Sequence, residues 1–274
     1  METADKILIC DEACPMCAGY TKLFVQRGML NPGSRQNFSS VDTAILSRID
    51  INKCRNEIPF IDTTGNKVLY GIDAMLEIMS AKLPFVKTIG TIRPVNWFLK
   101  KLYNLISYNR RVITANNTTG YFDCTPDFNA PYRILLLFIG FCFNTLMLTP
   151  EYNMVFLNST LSKASMLQMQ AAHLMLVGIN LILPFQLSYK KALEFLGQVN
   201  ITAIIYSLLL IPIIWLNKLF SVPVPVNNVC LFIVFCIIII TYRRRMQYAR
   251  IFEYRYIIII EAIASALFVG YLAF

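Results

Sequence analysis

The chain has 274 residues, is 56% hydrophobic and 15% charged, and carries a formal net charge of +9 with a mean hydropathy of +0.54. That is too apolar for an ordinary soluble domain and points to a membrane protein. The basic excess sits beside the apolar runs, as in "YRRRMQYAR" and "SYKKA", which reads as membrane-flanking charge and argues against a nucleic-acid partner.

Residues 1–82 are mixed in character, and the long apolar runs begin only after Arg133. The start, "METADKILICDEA", carries Glu2, Asp5, Asp11 and Glu12 around a short apolar run, whereas a secretory signal core needs roughly 7–15 apolar residues. The first domain is therefore expected to stay on the cytosolic side. There Cys10, Cys14, Cys17, Cys54 and Cys124 are not expected to form a structural disulfide framework, and catalytic or metal roles gain weight.

In chain order, "DKILIC" (5–10) reads as a buried strand and residues 14–28 as a helix stopped near Gly28. "RQNFSSV" (35–41) follows as a strand and "DTAILSRIDIN" (42–52) as a helix with Asp42 at its N-cap. "IPFID" (58–62) and "KVLY" (67–70) form a hairpin around "TTGN", and Gly71 leads into the helix "IDAMLEIMSAK". This order is that of a minimal thioredoxin/glutaredoxin-like α/β fold. Pro59 would open the third strand, where such a fold presents a cis proline beside its cysteines.

Cys14 and Cys17 fall where the first strand passes into the first helix. With Cys14 at the N-cap, Pro15 occupies the first helical position, and the Cys14 sulfur faces the unpaired N–H end of the helix dipole, which favours thiolate. Cys17, one turn on, is in reach to close a disulfide. Cys10, Cys14 and Cys17 also read as C-x3-C-x2-C, the spacing of a three-thiolate iron–sulfur site, but the soluble part is small for such an enzyme. A zinc site would want a fourth ligand, and Cys54 and Cys124 are poor candidates for it. An inert buried pair is the plainer alternative.

Further along, "RPVNWFLKKLYNLISYNRRV" spaces Val95, Phe98, Leu99, Leu102 and Ile106 as one face of a basic helix, suited either to the headgroup region or to packing on the soluble domain. Five runs, about 133–149, 166–187, 199–220, 226–242 and 255–274, approach the roughly 17–25 residues that a bilayer requires. Basic and non-basic loops alternate between them, which predicts a cytoplasmic N-terminus and an outside C-terminus. Within the runs lie few polar residues: Asn144, His173, Asn180 and Glu261. His173 and Glu261 are accessory candidates by the cost of burying an ionisable group, with interhelical hydrogen bonding as the simpler role. Cys124, just before the first run, is a candidate extra exchange partner.

On Asp11, Cys14, Pro15 and Cys17, on "IDTTGNKVLYGIDAMLEIM" and on "LYNLISYNRRVI" with its Asn109 and Arg110, the N-terminal half resembles the DCC family of thiol-disulfide oxidoreductases. The resemblance covers roughly residues 5–113. It implies a thioredoxin-like fold, a CxxC pair with Cys14 attacking and Cys17 resolving, and Asp11, Pro15 and Pro59 shaping the motif and substrate groove. Glu12 replaces the family's usual glycine, and its charge is expected to oppose the dipole at Cys14. The combined expectation is a thioredoxin/glutaredoxin-like domain (1–82), a basic connecting helix and linker (83–132) and an all-α membrane domain (133–274). Its function would be thiol–disulfide exchange at the cytosolic face of a bacterial inner membrane, with a protein or small thiol/disulfide substrate and the bilayer as partners, and no cofactor or metal. The competing expectation is a non-catalytic recognition module attached to a membrane transport or assembly protein.

Overall fold

The computed structural model describes residues 6–65, 67–116, 125–156, 159, 165–220 and 222–273. The chain divides into two compact units, Met1–Tyr132 and Arg133–Phe274.

The first unit is built on a four-stranded sheet in the order β2-β1-β3-β4: β1 Lys6–Cys10, β2 Arg35–Asn37, β3 Pro59–Asp62 and β4 Val68–Tyr70. β1 runs parallel to β2 and antiparallel to β3, which is antiparallel to β4. The period-two alternation of β1 sorts its side chains to opposite faces. Leu8 and Cys10 pack with Ile58 and Phe60 under α1 (Pro15–Gln26) and α4 (Gly71–Ser80), through Phe24, Ala74 and Ile78. Ile9 and Ile61 pack on the other face with Phe38, Ile49 and Cys54. Both core faces are therefore dry, and the edge where β1 hands over to α1 is left for the cysteines. α1 ends before Gly28, whose φ of +65° is a left-handed conformation open to glycine.

The expected helix 42–52 is instead two short ones, α2 (Thr43–Leu46) and α3 (Ile51–Cys54). Asp42 caps α2 through the Ala44 N–H, and Asp50 caps α3 through the N–H groups of Asn52 and Lys53. A second cap in mid-segment gives the chain a competing place to start a turn. β2 is three residues long rather than seven. Pro59 is correctly placed at the start of β3, but its peptide bond is trans; the described residues contain no cis peptide. Trans is the lower-energy isomer of an X–Pro bond, and here the Ile58 N–H donates to the Tyr103 hydroxyl at 3.1 Å and its carbonyl accepts from Gly71 N–H at 3.0 Å. These bonds carry an extended chain straight into β3. α5 (Pro84–Gly90) and α6 (Arg93–Thr114) then cover α4. The last residues of the unit dock on its body, with Asp127 bonded to Asn56 and Tyr132 stacked on Tyr108 at 5.2 Å.

The second unit is helical: α7 (Ala130–Glu151) running into a π-turn, α8 (Met166–Ile182) into a 3-10 turn at Leu183–Gln186, α9 (Tyr189–Phe220), α10 (Val224–Tyr248) and α11 (Arg255–Ala273). Four helical segments among the described residues are long and apolar enough to cross a membrane: Ala130–Phe156, Met166–Gln186, Tyr189–Phe220 and Val224–Tyr248. The fifth expected run forms α11. Pro184 lies at the end of the second candidate span, in the first turn of its closing 3-10 segment, where its missing N–H costs least. Arg133 and Arg245, expected as loop charges, are buried. Arg133 pairs with Glu194 at 2.9 Å, Glu194 accepts from Gln198 at 3.0 Å, and Gln198 accepts from Arg245 at 2.9 Å. This polar chain ties α7, α9 and α10 together. Charges removed from water require such partners.

Candidate active site

Asp11 organises the turn into α1. Its carboxylate accepts from Ala13 N–H at 3.0 Å and its carbonyl from Cys14 N–H at 3.3 Å. Cys14 is the N-cap in extended conformation (φ −89°, ψ 112°), and Pro15 opens the helix. The Cys14 carbonyl takes the first helical bond, from Ala18 N–H at 2.9 Å. No side-chain cap bond of regular geometry forms at Cys14; the N–H groups of Cys17 and Met16 act on its sulfur as off-line donors.

The two thiols are inequivalent. Cys14 is half-buried and Cys17 buried. The neighbouring Cys17 thiol is the main cause that lowers the Cys14 pKa to about 6. Burial opposes this, while the Cys17 N–H, the Arg110 charge and the Met16 N–H assist. The proximity of Cys14, followed by burial, drives Cys17 far above the ordinary thiol range. One sulfur is thus held as thiolate while the other stores the proton.

Arg110, in α6, is the residue that sequence reasoning missed as a functional group. Its side chain is buried, with Nη1 3.7 Å from Cys17 Sγ and Nη2 donating to the Arg55 carbonyl at 2.7 Å. It lines both a small pocket with Asp11, Cys14 and Pro15 and a larger apolar cleft. That cleft, of about 350 Å³, is walled by Met16, Cys17, Tyr20, Met75, Leu102 and Ile106, among others. The only earlier signal was the family position of Arg110, which carried no role. Glu12 is not among the largest influences on Cys14. Its carboxylate is bound by Arg35 at 2.9 Å and Asn37 at 3.3 Å, so β2 takes up the charge.

Pro59 is buried in β3, where the adjoining Ile58 bonds to Tyr103 of the cleft wall. Cys10 is 1% exposed in the core with its thiol raised by burial, and Cys54 is buried and pushed up to about 12 by burial first and the carboxylates of Asp50 and Glu57 next. Cys124 lies outside the described residues. In the helical unit, His173 sits 3.3 Å from the Thr145 hydroxyl and stacks on Phe141. Glu261 is buried near Asn180 and Tyr242, and the Asn180 amide donates to the Leu176 carbonyl at 3.0 Å. The structure therefore assembles Asp11, Cys14, Pro15, Cys17 and Arg110 into one site and leaves His173 and Glu261 in separate helix contacts.

No curated protein and no solved structure matches the chain. The span that carries the geometry above, residues 8–116, matches the family model described as DCC1-like thiol-disulfide oxidoreductase, and helices long and apolar enough to cross a membrane follow it in the same chain.

Proposed function

We propose that this chain is a membrane-attached oxidoreductase exchanging disulfides through Cys14 and Cys17 on the cytosolic face. The observation that carries the reading is the placement of half-buried Cys14 at the N-cap of α1, ahead of Pro15, with buried Cys17 one turn on and the Arg110 guanidinium 3.7 Å from its sulfur. The Cys14 thiolate attacks one sulfur of a substrate disulfide; the substrate S–S bond breaks and the second sulfur leaves as thiolate. Forming the mixed disulfide removes the Cys14 charge, the largest of the influences that hold the proton on Cys17, and the departing substrate thiolate is the base that can take that proton. Cys17 then deprotonates, attacks Cys14 Sγ and expels the second substrate thiolate. Two electrons pass to the substrate, and the dithiol becomes a disulfide. A thiol reductant returns it, and the same steps run in reverse toward an oxidised dithiol partner. Asp11 and Pro15 hold the turn, and the apolar cleft beside Cys17 receives the substrate.

Cys17→Ala should accumulate a mixed disulfide at Cys14, because nothing remains to release it. Cys14→Ala should accumulate none, and Cys10→Ala should behave as wild type. Mass spectrometry of non-reduced protein reads all three. Equal, slow alkylation of both thiols with no trapped species would instead support the recognition-module reading.

A further inference from the structure

We propose that the α5–α6 face of the first unit is a bilayer-docking surface, with Trp97 at its centre in the headgroup region of an anionic membrane. The first observation is apolar exposure in sequence register. On α6, Phe98, Leu102 and Ile106 recur every fourth residue, and Phe85 and Ile89 do the same on α5; all are 41–59% exposed. Residues four apart on a helix share a face, so these are two stripes rather than scattered contacts. Exposed apolar area of this extent marks an interaction surface.

Charge selects the occupant. From Pro84 to Thr114, α5 and α6 contain Lys87, Arg93, Lys100, Lys101, Arg110 and Arg111 and no Asp or Glu. Lys87 and Lys100 pair back onto Glu77 and Asp73 of α4, while Arg93 and Lys101 are exposed. Trp97 is 64% exposed, and the Lys101 ammonium lies 5.9 Å from its ring centroid. Trp97 lies four residues from both Arg93 and Lys101, on the stripe next to the apolar one, and an indole between basic side chains beside an apolar stripe is a composition that settles at a membrane–water boundary. A second copy of the same face would meet it with like charge. The bilayer is also supplied by the chain itself, since only residues 115–129 separate α6 from the helix of the first candidate span. Tethering at that length makes docking effectively intramolecular. Leu102 and Ile106 belong both to this face and to the cleft beside Cys17, so docking would present that cleft toward the membrane surface. The surface itself stands independently of the redox reading.

The chain contains two tryptophans, Trp97 and Trp215. In the full-length protein, Trp215→Phe leaves Trp97 as the only indole reporter. Nanodiscs of phosphatidylcholine and phosphatidylglycerol would be compared with discs whose acyl chains are brominated close to the headgroup. Docking predicts blue-shifted Trp97 emission that loses most of its intensity in brominated discs and is protected from aqueous iodide. Water-like emission open to iodide and insensitive to bromine would overturn the proposal. So would emission shielded from both quenchers, which would mean that protein covers the face. If Trp215→Phe fails to fold, wild type minus Trp97→Phe yields the same quantity with Trp215 in place. Phe98→Glu combined with Leu102→Glu should abolish the bromine quenching.

Discussion

A thiol attacks only as thiolate, so the value of Cys14 depends on what lowers its pKa and how many separate groups share the work. Cys17 supplies the largest part, the helix N–H groups a local part, and Arg110 a long-range one, reaching Cys17 across 93 residues of sequence. The alkylation rate of Cys14 should therefore rise with pH through an inflection near 6 and level off above it, since only the deprotonated form reacts. Arg110→Met should move that inflection upward by about one unit, in the direction expected when a nearby opposite charge is lost. Iodoacetamide labelling read by mass spectrometry across pH checks both, and an unmoved inflection would reduce Arg110 to a packing group. The N-cap cysteine and Pro15 were legible in four consecutive letters because capping is a local geometry. The roles of Arg110 and Glu12 were not, because each depends on which distant strand or helix comes alongside. For Glu12 that neighbour is β2, whose Arg35 and Asn37 absorb the charge.

Elements show the same division between local and distant causes. β1, α1, the β3–β4 hairpin and α4 follow from alternation and turn residues, whereas the split between α2 and α3 turns on Asp50 outcompeting helix continuation. The entry into β3 at Ile58 is bonded to Tyr103, a residue of α6 that the local sequence does not announce. In the helical unit, apolar length was enough to find the spans but not their mutual contacts. Gly140 of α7 is such a contact. A Cβ there would fall 2.4 Å from the amide atoms of Asn200, which donates to the Leu136 and Leu137 carbonyls at 3.2 Å each. Gly140→Ala must push that amide away from its acceptors, and overpacking of this kind costs about 1–3 kcal/mol. Gly178 of α8 has nothing within 4 Å of its would-be Cβ, so Gly178→Ala should be neutral or slightly stabilising through helix propensity. Thermal unfolding of the detergent-solubilised pair separates the two, and equal melting temperatures would remove the steric argument for α7 against α9.

At the scale of the whole molecule, two parts with different solvents share one chain, and the charge between spans predicts how it is threaded. Lys190 and Lys191 lie in the first turn of α9 and Arg243, Arg244 and Arg250 follow the apolar part of α10, whereas the loop between α9 and α10 has only Lys218 beside it. Basic side chains near span ends resist translocation, so the first two positions should face the cytosol and the third the outside. Burial of Arg245 against Gln198 removes one charge from that count without changing its sign. The exposed residues Ser188, Gln247 and Val224 offer one test point for each loop. In an otherwise cysteine-free chain, Val224→Cys should react with an impermeant thiol reagent added to intact cells. Ser188→Cys and Gln247→Cys should react only after the membrane is opened. The reverse pattern would put Cys14 and Cys17 in the oxidising compartment, where the pair would stand as a disulfide and donate oxidation rather than reduction. Because thiol–disulfide exchange is reversible, the direction of the exchange proposed for this pair would rest on this threading rather than on the geometry of the site.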